Sequence, residues 1–338
     1  MSTLSNIEVN GVKYSTKTDF ENQTIIFAVD NPLKHDKPGA LYKYYPLNER
    51  SIDSVLKHYL FSPHPSFLND KYDCSGELID YSNLTLDHYI NRFSMELKLY
   101  SEEKVRELYN SDKKWVLERT FSDFNLIILF MKFGIISLTE DHKNILMWAY
   151  YSQNSGFAVK YKTALLPNDF FGPFPINYCE KLEKIDFAMC DSPLCVLYQS
   201  NIKHNQWQLE KEWRYLTYNR DGKYHPNYSA TDIKTRKYFY DLSAVEEVIL
   251  GYDFFNPKEI QYPLRTAEYD IINLSGKKSL GLKKLKRKLL EHVVKKSIPC
   301  KQIIRHRSEF LLDAVEVKIE RLSSNKFKVY NSFKQIDD

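Results

Sequence analysis

Short strand-like and helical segments follow one another along this chain of 338 residues in an irregular order. Residues 135–139 and 157–161 alternate between the two faces of a strand, and both runs are rich in residues that favour strands. Residues 51–59 instead have apolar side chains at helical spacing. Because the regular strand–helix–strand alternation of a parallel α/β protein is missing, we predict an α+β fold with a central mixed or antiparallel sheet.

Changes in pattern divide the chain into three parts. Residues 1–40 predict a β-rich leader, residues 41–322 a single α+β domain, and residues 323–338 a C-terminal tail. Within the domain, the block 84–133 predicts a helical insertion, and a basic helix is predicted at about 279–296. Hydrophobic residues make up 43% of the chain, so a sizeable core can be buried.

Several classes of protein are disfavoured by composition. No apolar run approaches the roughly 18 residues of a membrane span, and the first residues lack the basic-then-apolar pattern of a secretory signal. The five cysteines are odd in number and scattered, which predicts reduced thiols in a cytoplasmic protein. Only 10 glycines are present, and neither a phosphate-binding glycine loop nor a His or Cys metal spacing occurs. We therefore expect no resident metal site of these kinds.

A strongly basic segment lies near the C-terminus. Residues 276–307 carry a net charge of +11, and because the whole chain carries +4, the remainder carries −7. Four apolar positions at helical spacing predict the buried side of a helix: Leu282, Leu285, Leu289 and Val293. Four basic residues fall on the other faces: Lys283, Lys284, Arg287 and Lys288. Both a solvated amphipathic helix and a contact with nucleic acid fit this pattern.

An acidic pair beside an arginine is the sharpest candidate for chemistry. If residues 210–218 form a strand, Glu210, Glu212 and Arg214 share one face, whereas Leu209 and Trp213 face the core. Two carboxylates at this spacing suit the stabilisation of a developing positive charge, general base catalysis or metal binding. A solvated edge strand with a cross-strand ion pair is the structural alternative.

A polar loop is the second candidate. Asn69 and Asp70 follow a short strand, where such residues usually bond local backbone amides in turns. The functional alternative is a polar site at the mouth of a cleft.

A strand followed by a short helix is the third candidate. Ser137 and Thr139 lie on one face of the predicted strand, and Trp148 and Tyr151 lie three residues apart on the predicted helix. Such an aromatic pair suits either a hydrophobic core or a platform for a ligand.

These motifs together resemble the bacterial family catalogued as domain of unknown function 2971. The resemblance covers roughly residues 41–322, and the block 84–133 fits the variable insert of that family. It rests on five separated motifs in one order: residues 41–44; residues 60–63 with 67–70 and 73–74; residues 145–151 with 156–157; Trp207 with 210–214; and residues 247–251.

The chain also resembles compact ADP-ribosyltransferase-like folds, although more remotely. This resemblance implies NAD as a substrate, with Glu212 offsetting the positive charge on the ribose and Glu210 orienting or deprotonating the acceptor. It implies that Tyr44 or Trp148 stacks on nicotinamide. Arg214, on the same predicted strand face as the two glutamates, is the third candidate catalytic residue. The candidate residues for holding NAD are Tyr42, Tyr44, Asn69, Asp70, Ser137, Thr139, Trp148 and Tyr151.

Three functions follow as hypotheses. The first, which we favour, is an NAD-consuming transferase or glycohydrolase, acting on nucleic acid or protein in a bacterial defence or toxin system. The second is a nuclease whose Mg²⁺ is held by Asp70, Asp73, Glu210 and Glu212, with Lys211 or Arg214 at the phosphate. The third is a non-catalytic module that binds nucleic acid through the basic segment. The oligomeric state is left open by the sequence.

Overall fold

The structure is a computed structural model. It describes residues 2–330, apart from residues 20, 22, 23, 35, 191, 219–235, 262–268, 276–279 and 307. The α-helices are α1 (Glu49–Leu56), α2 (Leu86–Ile90), α3 (Glu102–Tyr109), α4 (Lys114–Lys132), α5 (Ile145–Ser152), α6 (Ser192–Asn201) and α7 (Leu280–Lys296). No helix in this part of the chain is long and apolar enough to span a membrane.

The strands are short and spread along the whole chain. In order they are β1 (Ser2–Val9), β2 (Val12–Asp19), β3 (Thr24–Asp30), β4 (Ala40–Tyr45), β5 (Tyr59–Phe61), β6 (Ile79–Asp80), β7 (Phe133–Thr139), β8 (Phe157–Lys162), β9 (Phe170–Pro175), β10 (Asn177–Cys179), β11 (Ile185–Asp186), β12 (Ile202–His204), β13 (Glu212–Tyr218), β14 (Lys237–Phe239), β15 (Val245–Leu250), β16 (Ile260–Gln261), β17 (Tyr269–Asn273), β18 (Cys300–Arg305), β19 (Leu312–Glu316), β20 (Lys318–Arg321) and β21 (Lys326–Tyr330).

An eight-stranded mixed sheet forms the centre of the molecule, which confirms the predicted α+β fold. Its order is β19-β18-β15-β8-β4-β7-β13-β9. The pair β15–β18 is parallel and the other neighbours are antiparallel. One face packs the largest hydrophobic core, which includes Leu138, Val159 and Trp213. The opposite face is covered by α5 over β4 and by a second core that contains Ile135 and Leu216.

Three strands between Ser2 and Asp30 form an antiparallel sheet that packs on the rest of the chain. The strands β1, β2 and β3 follow one another in order. The ring of Tyr14 meets that of Tyr198 edge-on at 5.4 Å, and the Tyr14 hydroxyl accepts a hydrogen bond from Asn177. Val12 and Phe27 belong to the same core as α6. These N-terminal strands therefore share a core with the residues that follow.

The C-terminal region continues the fold beyond residue 322. Strand β21 pairs antiparallel with both β17 and β20, so residues 326–330 are part of a four-stranded sheet rather than of the tail predicted for 323–338. Phe327 and Val329 are fully buried in the main core, which explains why this stretch is ordered as a strand. Residues 331–338 lie outside the described residues.

The basic helix α7 packs on α1, with one difference from the prediction. Leu285, Leu289 and Val293 are buried as expected, but Leu282 is 57% exposed. Lys286 is buried instead, where its ammonium lies 2.8 Å from Glu259 and over the ring of Phe254. The apolar side of the helix therefore begins one turn later than the sequence pattern indicates. Residues 276–279, at the predicted start of the helix, lie outside the described residues.

Two histidines where α7 meets α1 should make stability depend on pH. The rings of His58 and His292 lie 5.3 Å apart, and burial together with His58, Lys296 and Lys295 lowers the pKa of His292 to about 4. Between pH 6.5 and 4 the unfolded chain then binds more protons than the folded one, so stability falls as the pH falls through this range. In thermal melts we expect His292→Gln to reduce the fall in Tm over this interval; an unchanged slope would contradict the assignment.

Candidate active site

Strand register places the predicted residues of three strands on one face of the central sheet. Thr139 of β7 lies opposite both Tyr42 of β4 and Glu212 of β13. Directly opposite residues project from the same face, and so do residues two positions along each strand. Tyr44, Ser137 and Arg214 consequently share that face. The register thus brings together the tyrosine pair, the Ser/Thr pair and Glu212 with Arg214.

The strands β4 and β7 part beside this row of side chains. Over their length, all of which is described, they are paired at one position, Tyr42 opposite Thr139. Lys43 reaches into the opening, and its ammonium donates a hydrogen bond of 3.0 Å to the backbone carbonyl of Ser137. A cavity of about 260 Å³, here called the β4–β7 pocket, lies at this opening. Its lining includes Tyr42, Lys43, Tyr44, Asn69, Asp73, Ser137, Thr139, Met147, Tyr151, Lys203, Glu210, Glu212 and Arg214.

A buried arginine organises the floor of the pocket. The guanidinium of Arg214 forms a two-pronged ion pair with Asp73, at 2.6 and 2.5 Å. It also donates to Glu212, with Nε 2.7 Å from Oε1, and to the backbone carbonyl of Ser200. Arginine suits this position because its planar fork can serve two carboxylates at once. These pairs hold Glu212 rigidly in place.

A buried lysine bridges the two glutamates. The ammonium of Lys203 lies 2.5 Å from Glu210 Oε2 and 2.9 Å from Glu212 Oε2. The Tyr151 hydroxyl donates to the other oxygen of Glu210 and accepts a hydrogen bond of 3.2 Å from Asn69. Helix α5 and the loop after β5 are therefore connected to the carboxylates through Glu210.

The two glutamates reach the pocket by different routes, which corrects the strand predicted for 210–218. Glu210 ends a 3₁₀ turn, Lys211 adopts the left-handed conformation with φ 45°, and β13 begins at Glu212. The Thr139 hydroxyl fixes this turn by donating a hydrogen bond of 2.6 Å to the backbone carbonyl of Glu210. Leu209, predicted to face the core, is 53% exposed because the turn carries it outward. The carboxylates nevertheless meet at one ammonium.

Their surroundings push the pKa values of the two glutamates in opposite directions. Burial alone would raise the pKa of Glu212, but Arg214 and Lys203 more than offset this effect and hold it well below the usual range. Burial raises the pKa of Glu210, and the nearby Glu212 adds to this rise while Lys203 opposes it. Such divergence is the pattern by which one carboxylate stays charged and the other exchanges a proton.

Lys43 is a third basic group in the pocket, and its ammonium loses its proton more readily than an exposed lysine does. Burial lowers the pKa of its ammonium to about 8, while Glu212 opposes that change. Its charge state therefore changes close to neutral pH, unlike that of Arg214. Lys43 enters the opening from the opposite side of the sheet from Tyr42 and Tyr44, because alternate residues of β4 project from opposite faces.

Two predicted ligand residues lie elsewhere. Trp148 is 1% exposed, its indole donates to the backbone carbonyl of His142, and its ring packs edge-on against Tyr44 at 4.9 Å. It supports Tyr44 from behind and is not part of the lining. Asp70 accepts a hydrogen bond from the amide of Tyr72, in the turn that such loops usually form, and lines a different cavity. Stacking of Trp148 on a ligand, and contact of Asp70 with a ligand in the β4–β7 pocket, are therefore not supported.

Three pocket residues have a role that the sequence patterns do not predict. The patterns assign no role in the pocket to Lys203 or Lys43, and they predict Asp73 as part of the polar loop and as a metal ligand, not as the partner of Arg214. Lys203 is a buried lysine in β12, a short strand that is paired with β10, and its sequence surroundings gave no motif. For Lys43, the charged residue within the aromatic run of β4 was a usable signal, because a lysine among strand residues that are otherwise buried needs a partner.

The donor set does not fit the predicted magnesium site. Asp73, Glu210 and Glu212 already accept bonds from Arg214 and Lys203, so a cation would have to displace both. In the described part of the chain, no group of three or more His, Cys, Asp or Glu residues is arranged to hold a metal ion.

The four basic residues predicted to contact nucleic acid lie on α7, away from the pocket. Lys283 donates to the backbone carbonyl of Ser275, and Arg287 donates a hydrogen bond of 2.6 Å to Asn325. Lys284 and Lys288 are exposed. Lys283 and Arg287 therefore make hydrogen bonds within the protein. Contact with nucleic acid through segment 276–307 stays a prediction.

Comparisons of the chain with protein-family models, with curated proteins and with solved structures found no match.

Proposed function

We propose that the β4–β7 pocket cleaves the bond between ribose and nicotinamide in NAD and transfers the ADP-ribose group to an acceptor. The observation that carries this proposal is the convergence of Tyr44, Ser137 and Glu212 on one face beside the opening between β4 and β7. These residues belong to the three elements that the resemblance to ADP-ribosyltransferase-like folds implies. In this proposal the nicotinamide end of the substrate lies in the cavity of about 260 Å³ at this opening.

The charged groups of the pocket suit cleavage of the glycosidic bond between ribose and nicotinamide. When the C–N glycosidic bond breaks, its electron pair leaves with nicotinamide and positive charge develops on the ribose ring. Asp73, Glu210 and Glu212, when ionised, place three negative charges against the two positive charges of Lys203 and Arg214. The Lys43 ammonium lines the same pocket, so these charges balance while Lys43 is protonated, and a negative excess of one charge arises when it loses its proton. The carboxylates are fixed in a buried site before the reaction begins, where their charge acts most strongly.

The paired glutamates suit two separate roles. Glu212, kept ionised by Arg214 and Lys203, stabilises the positive ribose. Glu210, whose pKa is raised by burial, takes the proton from the acceptor hydroxyl or from water as that group bonds to the ribose carbon. The Tyr151 hydroxyl positions Glu210 by donating to it. Tyr44 lines the same pocket and can contact the nicotinamide ring.

Release of nicotinamide from NAD tests this function directly. Purified protein is incubated with NAD, alone and with nucleic acid or protein acceptors, and free nicotinamide is measured. We expect release by the wild-type chain, and we expect Glu210→Gln to slow it by about 10²-fold because a general base is lost. Glu107→Gln is the matched control, since Glu107 is an exposed residue of α3 that pairs with Lys104.

Two outcomes would contradict the proposal. One is no release by folded wild-type protein with any acceptor class; the other is equal loss in Glu210→Gln and Glu107→Gln. Cleavage of nucleic acid that is abolished by EDTA, without release of nicotinamide, would instead favour the nuclease hypothesis.

A further inference from the structure

A second, larger cavity lies on the other side of β4. It has a volume of about 530 Å³ and is enclosed by α1, β4, β5, β14 and α7; we call it the α1–α7 cavity. Tyr45 lines it from the face of β4 opposite to Tyr44. Lys43 lines both this cavity and the β4–β7 pocket, so the two cavities adjoin at that side chain.

Basic side chains from three separate elements meet at this cavity. Arg50 comes from α1, Lys237 from β14 and Lys288 from α7. Lys237 is half-buried over the ring of Tyr59, with its ammonium 4.5 Å from the ring centre, and it lies 3.7 Å from Asp53. Arg50 and Lys288 are exposed. Like charges gathered around one concave surface repel one another, and an anion placed among them would relieve that repulsion.

Aromatic and aliphatic side chains form another part of the lining. Tyr45, Tyr59 and Phe61 contribute aromatic rings, and Ile52 and Leu285 contribute apolar side chains. A cavity of this size with an apolar lining and a few charged groups is typical of a small-molecule site. Its ligand should therefore carry both a flat or apolar body and an anionic group.

Two carboxylates in the lining restrict the class of ligand further. Glu49 and Asp53, one turn apart on α1, also line the cavity. Asp53 already accepts a hydrogen bond from Tyr59 and pairs with Lys57, whereas the exposed Glu49 can accept hydrogen bonds from hydroxyl groups of a ligand. A fatty acid offers no hydroxyl group to Glu49, and inorganic phosphate would not use the aromatic rings. A ribose, a base and a phosphate would use the Glu49 carboxylate, the rings and the cations together. We propose that the α1–α7 cavity binds a mononucleotide.

Titration with adenosine 5′-monophosphate tests this site. We expect calorimetry to show binding by the full chain, with adenosine and inorganic phosphate each binding at least about tenfold more weakly. The double variant Arg50→Gln/Lys288→Gln should weaken binding of the nucleotide at least about tenfold, because two charged hydrogen-bond donors to the phosphate are lost. Both substitutions are at exposed positions, so the fold should survive; a thermal melt verifies this.

Lys284→Gln is the matched control. Lys284 lies on the same helix, is exposed and does not line the cavity, so its substitution should change the affinity less than about twofold. Equal weakening by Lys284→Gln would overturn the proposal in favour of diffuse attraction to α7, as for a nucleic-acid surface. Absence of binding by the folded wild-type chain would overturn it as well. Binding that is lost in Tyr151→Phe but kept in the double variant would also overturn it, because that result would locate the nucleotide in the β4–β7 pocket. None of these readouts depends on cleavage of NAD.

Discussion

Replacing Arg214 with methionine should lower the free energy of unfolding by about 3–5 kcal/mol. The side chain of Arg214 is almost wholly buried and serves both Asp73 and Glu212. Methionine fills much of the same volume but leaves two carboxylates in the interior without their main partner, and this uncompensated charge is the source of the loss. Urea denaturation followed by circular dichroism measures the change.

An exposed arginine provides the comparison for Arg214. Arg106 pairs with Glu102 on the surface of α3, and Arg106→Met should change stability by less than about 1 kcal/mol because water screens such pairs. Equal effects of the two substitutions would contradict the role of Arg214 as the organiser of the pocket floor. If Arg214→Met does not accumulate, Asp73→Asn tests the same ion pair from its other side.

Glu212→Gln should reduce the release of nicotinamide from NAD by at least about 10²-fold. The glutamine keeps the shape of the side chain but removes the negative charge that is placed to stabilise the ribose cation, an effect of the size seen when fixed electrostatic groups are removed from active sites. The rate is measured at saturating NAD, so that loss of affinity is separated from loss of the chemical step.

Stability must be controlled in this experiment, because Glu212 also pairs with Arg214 and Lys203. The assay is therefore run at a temperature at which circular dichroism shows the variant to be folded. Tyr151→Phe is a second variant that leaves those ion pairs intact; it removes the hydrogen bond to Glu210 and should lower the rate more modestly. A folded Glu212→Gln with wild-type turnover would refute the proposed role.

Much of the fold and part of the site could be predicted from local patterns. Period-two alternation placed Ser137 with Thr139, and Glu212 with Arg214, on common faces, and the strands that carry them lie where the pattern indicated. Leu285, Leu289 and Val293 were recognised as the buried side of α7 from their helical spacing. Each of these predictions depends only on residues that are close in sequence, for which backbone geometry fixes the direction of the side chain.

The remaining features depend on contacts between distant parts of the chain. Asp73 and Arg214 are 141 positions apart, and nothing in the loop that carries Asp73 indicates an arginine partner. Glu210 was predicted as the first residue of a strand. Because Lys211 adopts the left-handed conformation, Glu210 instead ends a 3₁₀ turn. The helical spacing of Trp148 and Tyr151 predicts that both rings lie on one side of the helix. It does not predict which ring is covered by β4, and in the structure that ring is Trp148.

The single rung between Tyr42 and Thr139 divides the central sheet into two blocks of strands, with β4, β8, β15, β18 and β19 on one side and β7, β13 and β9 on the other. Main-chain hydrogen bonding between β4 and β7 is weaker than between the neighbouring strands. Lys43 adds a hydrogen bond across this gap, to the backbone carbonyl of Ser137. That hydrogen bond therefore helps to fix the width of the opening between β4 and β7. A ligand that draws the Lys43 ammonium away from Ser137 would break it, and the separation of β4 from β7 is the quantity to compare between free and occupied forms of the protein.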